Sequence, residues 1–377
     1  MNILINALGI QDSGGITVFE KVLEEFILNK GNRYVIVCND NLNINLLFNK
    51  YKEISYFDFL IIPSKGFLYR LYYENIVFRT IINEKEIDLV YNFSGSSQFF
   101  IKTPQLIKIQ NLLFYSKKLD GVYKKKNQRK LWLKQIYLKR IIFKSMIEHV
   151  KYFEIQSAHV QKYLSDYVNV ENKKFYIKSD IDVAEKLFLK PKLYDFNKKV
   201  KFLYIVGPHF EYLHKNFLDF TNAMLIMKKE NINFEINITL TKDQLQNSVQ
   251  WYNDLNSNTN FLGYIRDKQK IQDLFCDNTI IISTSIIETL GLHVIEGVKN
   301  GIIVIAPNEK YSKSVYGKNI ITYELFSDKS LSNSIFSIIN SKINCKNHIL
   351  RLQEDLKISE NNKYNNILDI FNKVKNV

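Results

Sequence analysis

The sequence predicts an α/β protein of two similar domains, each built on a parallel sheet. Three observations predict it. At 377 residues the chain is too long for one ordinary domain and suits two, each able to bury its own core. Short, nearly continuous apolar runs alternate with amphipathic stretches, the pattern of strands covered on both faces by helices. That pattern stops at a polar segment, Lys178 to Lys201, which holds Pro191, and then begins again. Two such sheets in succession imply a central cleft between domains, with ligands beyond the carboxyl ends of the strands.

In chain order, Ile3 to Ala7 reads as the first strand. Gly14-Gly15 follows, and then a helix with Val18, Phe19, Val22, Leu23, Phe26 and Ile27 at helical spacing. Tyr34 to Val37, Leu89 to Phe93, Leu106 to Ile109 and Tyr152 to Gln156 complete the first set of strands. The second set runs Phe202 to Val206, ending in Gly207-Pro208, then Phe234 to Leu240, Thr279 to Ser283 and Ile302 to Ile305. The expected boundaries are 1–178 for the first domain, 179–200 for the connection and 201–358 for the second domain. A closing helix, 359–377, is expected to cross back to the first.

Composition narrows the function classes. Hydrophobic residues make up 46% and charged residues 24%, proportions of a folded chain rather than a disordered one. No apolar run approaches the roughly 20 residues needed to span a bilayer, and the chain enters its first strand without a basic leader. A cytoplasmic protein is expected. Cys38, Cys276 and Cys345 lie far apart without metal or redox spacing, and the six His residues show no paired ligand spacing, so no metal site and no bound cofactor are expected.

The formal net charge of +14 is unevenly spread. Twelve cations lie between Lys117 and Lys151, opposed only by Asp120 and Glu148. Lys124, Lys125, Lys126, Arg129, Lys130, Lys134, Lys139 and Arg140 alternate there with apolar residues that include Trp132. Basic amphipathic helices of this kind lie on anionic bilayers. A solvated helix with a core face is the competing reading; nucleic acid is not expected, because no nucleic-acid motif accompanies the charge.

The densest chemistry lies in Ser285 to Gly297. Glu288 falls in the turn after a buried strand, and Glu296 on the following helix. Thr289, Leu290, Gly291 and Leu292 form the expected helix entrance, where free N–H groups and the dipole can hold a diphosphate. Two glutamates at this separation, with Thr-Leu-Gly-Leu after the first, resemble the signature of retaining glycosyltransferases of family 4, which have the GT-B fold. The resemblance continues through Gly301, Val304, Ile305 and Pro307. It implies two Rossmann-like domains, a nucleotide-diphosphate sugar as donor, Glu288 facing the donor sugar and Glu296 facing the ribose.

The resemblance reaches further along the chain. Gly207 and His214-Lys215-Asn216 match the family's segment after the first strand of the second domain, which makes Lys215 the diphosphate ligand; a solvated surface lysine is the alternative. The family's arginine is missing there, and His209 stands near its place. Gly14 and Gly15 match the family's first loop, although an ordinary turn has the same signature. Gln110 stands where the family has a histidine; it cannot act as a base near neutral pH, so Gln110 and Asn111 are expected only to hydrogen-bond on the acceptor side. Phe175 to Asp182 matches the interdomain segment without its Pro and Gly.

The activity implied is transfer of a sugar, with retention and without a metal, to a glycan or lipid-linked acceptor of a surface polysaccharide. Two other readings stay open. One is a nucleotide-sugar epimerase or hydrolase on the same fold, and the other a non-catalytic scaffold at the membrane.

Overall fold

A computed structural model describes residues 1–377 except 11–12, 179, 181–187, 266, 328, 362–363 and 376–377, with the side chains of 13, 14, 268, 360 and 361 also left out. Residues 179 and 181–187 of the expected connection therefore lie outside the described residues, Ser179, Ile181 and Asp182 of the segment matched above among them. The chain divides into two compact units. Unit 1 comprises Met1–Ser116, Gln128–Val183 and Asn362–Val377, and unit 2 comprises Lys117–Asn127 and Ala184–Asn361.

Unit 1 carries seven strands: β1 (Asn2–Ala7), β2 (Arg33–Asn39), β3 (Phe57–Ile62), β4 (Leu89–Asn92), β5 (Gln105–Ile109), β6 (Tyr152–Ile155) and β7 (Lys174–Ile177). Their order is β3-β2-β1-β4-β5-β6-β7, parallel throughout. Unit 2 carries six: β8 (Val200–Tyr204), β9 (Phe234–Ile238), β10 (Thr259–Phe261), β11 (Thr279–Ile282), β12 (Ile303–Pro307) and β13 (Ile321–Tyr323). Their order is β10-β9-β8-β11-β12-β13, again parallel. Each sheet therefore reverses its winding once, between β1 and β4 and between β8 and β11. At such a switch point adjacent loops diverge and leave a crevice for a ligand.

The expected strands are present with ends moved by one or two residues. The four that the sequence reading lacks, β3, β7, β10 and β13, are the four edge strands. Edge strands are covered less completely, and here several of their residues are half-exposed, so the unbroken apolar run that marks a central strand is missing. The helix Ser13–Ile27 also begins earlier than expected. Gly14 and Gly15 are therefore in its first turn, not in a loop before it.

Unit 1 contains a buried ionic network beneath its apolar core. Lys108 on β5 and Glu154 on β6 are directly opposite in register and form an ion pair. Lys108 also donates to Asp180 at 2.8 Å, and all three side chains are at most 1% exposed. Tyr91 donates to the other Glu154 oxygen at 2.5 Å, and Gln156 donates to Asp180. Lys178 joins Glu25 at 2.6 Å. The second Glu25 oxygen accepts from the amide of Ile367 at 2.7 Å, the first residue of the helix Ile367–Lys375. Phe371 of that helix packs on Phe26 and Tyr91.

The basic segment is divided between the two units. The helix Lys117–Lys125 groups with unit 2, where Lys118 pairs with Glu309, and Lys124, Lys125 and Lys126 are exposed there. Residues 129–148 belong to unit 1 and form one helical stretch with a π-helical turn at Leu133–Tyr137. Arg129, Lys130 and Lys134 are exposed, while Trp132 and Lys139 are half-buried. Arg140 is not a surface cation: it is 8% exposed, donates to the Phe114 carbonyl and stacks on Tyr167. Its helical position puts it on the same inward face as Ile136 and Phe143, so it serves the interior.

Candidate active site

The switch point of unit 2 is built by two loops. After β8 the chain passes Gly207 and makes a short turn at Leu213–Lys215, ending at Asn216 in the left-handed region (φ 47°). After β11 it runs through Ser283 to Gly291 and enters the helix Leu292–Lys299. Backbone and side-chain bonds tie the loops together. The Ile286 amide donates to the His214 carbonyl at 2.7 Å, and the Thr284 hydroxyl donates to the Lys215 carbonyl at 2.7 Å. Tyr204 on β8 bonds the same Thr284 hydroxyl at 2.7 Å. Tyr311 supports the second loop by donating to the Ser285 carbonyl at 2.5 Å.

This stitching brings Lys215 and Glu288 together. Lys215 Nζ donates to Glu288 Oε1 at 2.8 Å, with the side chains 29% and 18% exposed. Burial alone raises the pKa of Glu288, but the charge and hydrogen bond of Lys215, helped by Ser285, outweigh it and hold the carboxyl at about 2. Two histidines flank the pair and are neutral at pH 7. Burial first, and then the charge of Lys215, push His214 down to about 3. Burial does the same to His293, again with Lys215 adding to it, and takes it to about 4. Lys215 is thus the charged member of this group, and the two histidines beside it carry no charge at pH 7.

Gly291 shapes the helix entrance. It is the N-cap at φ 63°, a conformation that L side chains rarely adopt. A Cβ there would overlap the Tyr316 hydroxyl, which packs directly against it. Thr289 and Leu290 precede the helix and do not form its first turn; Leu292 is its first residue, and Glu296 lies one turn further on. The Val294 amide turns back to the Gly291 carbonyl at 3.0 Å; the Leu292 and His293 amides before it have no acceptor within the helix, so this end has both geometry and dipole for an anion.

The remaining predicted residues are more scattered. The space around Gly207 is open. His209 is exposed and stacks on Tyr212 with 4.8 Å between ring centroids. Gln110 and Asn111 follow β5 in unit 1; Asn111 is exposed and caps a turn by accepting from the Leu113 amide at 2.9 Å. Among the described residues, no group of three or more His, Cys, Asp or Glu side chains is arranged to hold a metal. The sequence reading missed Thr284, Tyr311 and Tyr316. Their signal was thin: a small hydroxyl residue after a strand, and tyrosines in a later helix.

No family model matches the chain, and no curated protein matches it in sequence. Solved structures do match. Sucrose-phosphate synthase from Thermosynechococcus elongatus superposes with a TM-score of 0.67 at 13% identity, covering 99% of this chain and 96% of that one. A glycosyltransferase from Rickettsia africae gives 0.64 at 14% identity, covering 99% and 98%. S. aureus TarM, in a complex with fondaparinux, α-GlcNAc-glycerol and UDP, gives 0.60 at 13% identity, covering 100% and 99%. The fold is GT-B. At these identities the likeness establishes architecture, and the chemistry of this GT-B chain rests on its own residues.

Proposed function

We propose that the chain transfers a sugar from a nucleotide-diphosphate sugar to a glycan or lipid-linked acceptor of a surface polysaccharide, with retention of configuration and without a metal. The observation that carries this reading is the Lys215–Glu288 pair beside a helix entrance at the unit 2 switch point. In the reaction the bond from the sugar's anomeric carbon to the diphosphate breaks, and one to the acceptor oxygen forms. The acceptor proton passes to an oxygen of the departing diphosphate, so no side-chain base is required. Lys215 and the amides after Gly291 stabilise the charge that grows on the leaving group, Glu288 orients the sugar, and Glu296 accepts from the ribose.

The test is calorimetry with UDP-, GDP- and dTDP-sugars, without added metal. Selective binding of one nucleotide class is expected, weakened about ten- to hundredfold in Lys215→Ala, the worth of a hydrogen bond to a charged group. Glu296→Ala should weaken it as well. Failure of every nucleotide sugar to bind would overturn the reading in favour of a scaffold. Product analysis with and without acceptor separates transfer from epimerisation or hydrolysis.

Docking of unit 1 on the inner face of the cell membrane completes the proposal. Along 129–148, Leu131, Leu133, Leu138 and Ile141 are exposed beside Arg129, Lys130 and Lys134. Phe67 packs on Phe143, joining to this stretch a second helical run on which Leu68, Tyr72 and Ile76 are exposed at four-residue spacing. Apolar side chains flanked by cations fit an anionic interface, where each cation contributes about 1 kcal/mol. Wild type should co-sediment with phosphatidylglycerol vesicles at physiological salt. Reversing Lys130 and Lys134 to Glu should weaken this by at least about thirtyfold. Absence of wild-type co-sedimentation would rule docking out.

A further inference from the structure

Unit 1 has its own switch point, between β1 and β4, and it holds a buried polar cluster that the reaction above does not use. Asn6 and Asn92 are opposite in register, and the Asn6 amide donates to Asn92 at 3.0 Å and to Glu74 at 2.8 Å. Glu74, fully buried, comes from a π-helical turn, Tyr73–Val77; such turns interrupt helices often where a site needs a side chain redirected. Its Oε1 also accepts from Ser96 at 2.7 Å and from Arg70 Nε at 2.9 Å. Glu74 Oε2 and Gln98 Oε1 are buried and accept from no donor among the described residues. Unspent acceptors in a buried cluster cost stability and mark a place shaped for more than packing.

Arg70 is the part of this cluster that reaches solvent. Its side chain is 15% exposed. Nε and Nη2 are committed to Glu74 and Ser96, and Nη1 has no acceptor among the described residues. The guanidinium lies against Gly9 in the loop after β1, so closely that a Cβ there would overlap it and the Ser94 side chain. Arg70 is therefore held rigidly by one edge at the carboxyl end of β1, with donors left over at the other. A guanidinium fixed in this way is preorganised for a planar or tetrahedral oxyanion.

We propose that Arg70 is a specificity-determining residue of the acceptor site, and that the acceptor sugar bears a phosphate or carboxylate group which this guanidinium binds. Glu74 is a positioning residue that holds it. This rests on the transfer reading for the word acceptor, but the site and its ligand chemistry do not depend on nucleotide-sugar binding.

The probes are α-D-glucose 1-phosphate, D-glucuronate and D-glucose, applied to the full chain. In wild type, peptide mapping after phenylglyoxal treatment should show Arg70 protected several-fold by one or both anionic sugars and not by glucose. No protection by either anion overturns the proposal, and this arm needs no folded variant. By saturation-transfer NMR the protective sugar should lose about ten- to hundredfold in affinity in Arg70→Gln and bind normally to Lys215→Ala. A loss that follows Lys215→Ala and spares Arg70→Gln would place the anion in unit 2 and overturn the proposal. Nucleotide-sugar affinity should be unchanged in Arg70→Gln. If no nucleotide sugar binds wild type while Arg70 is still protected, the transfer reading fails and the anion site stands.

Discussion

On the proposed transfer, Lys215→Ala is expected to lower kcat by about 10²–10³ while the protein keeps its fold, the range found when one preorganised donor to a developing oxyanion is removed. The structure shows why a single side chain carries so much. His214 and His293, which flank the pair, are held neutral at pH 7, and neither replaces a lost ammonium. The loss should fall mainly on kcat, because charge on the diphosphate oxygen grows most in the transition state. Lys215→Arg, which keeps the charge, should recover part of it. The variant also has a signature independent of turnover. Glu288 has its pKa depressed from 4.5 to about 2, so its pairing stabilises the fold fully above about pH 4.5 and loses that effect as pH falls toward 2. Without Lys215 the burial of Glu288 is left opposed by the smaller effects of Ser285 and His293, its pKa rises, and the acid limb of stability moves to higher pH. Equal kcat in wild type and variant, or superimposable acid unfolding curves, would remove Lys215 from the mechanism.

The parts of this molecule that could be read from the sequence are those determined locally. β11 is an unbroken apolar run, the turn after it carries Glu288, and Gly291 sits where a left-handed cap is required, so sequence distance and spatial distance coincide there. Lys215 was readable for the same reason, as a short motif just past a strand. Its bond to Glu288 was not, because 73 residues separate the two and only the pairing of β8 with β11 makes them neighbours. Edge strands escaped because half-exposure breaks the apolar run. Arg140 was misplaced because a cation inside a basic stretch looks like its neighbours, and only helical phase separates the side facing Phe114 from the side facing water. Arg70 and Glu74 did carry a signal, an i,i+4 ion pair on the inward face of an amphipathic helix. Spacing alone gives no reason to suppose such a pair buried.

The buried ionic network of unit 1 makes the largest stability prediction. Lys108→Met should cost about 3–5 kcal/mol, the usual penalty for leaving a buried carboxylate without its partner. In a unit of this size each kcal/mol corresponds to roughly 2–4 °C in melting temperature. Two carboxylates are affected. Burial would push Asp180 up, yet Lys108 first and Lys178 second hold it below the ordinary range. Burial likewise opposes charge on Lys108, but Asp180 and Glu154 outweigh it and raise its pKa. The sign follows from both shifts. The network contributes fully between the ordinary values of Asp and Lys, about 3.9 and 10.4; it weakens as pH falls through the depressed pKa of Asp180 or rises through the elevated one of Lys108. Removing Lys108 should therefore destabilise unit 1 at neutral pH and shift its acid unfolding upward in pH. Pairing the change with Glu154→Gln removes one orphaned charge and leaves an oxygen for Tyr91, so the double variant should recover a substantial part of the loss. Thermal melts of the three proteins across pH 3–9 decide it. A cost below about 1 kcal/mol for Lys108→Met, or strict additivity in the double variant, would mean that the carboxylates find other partners and that the network does not act as a unit.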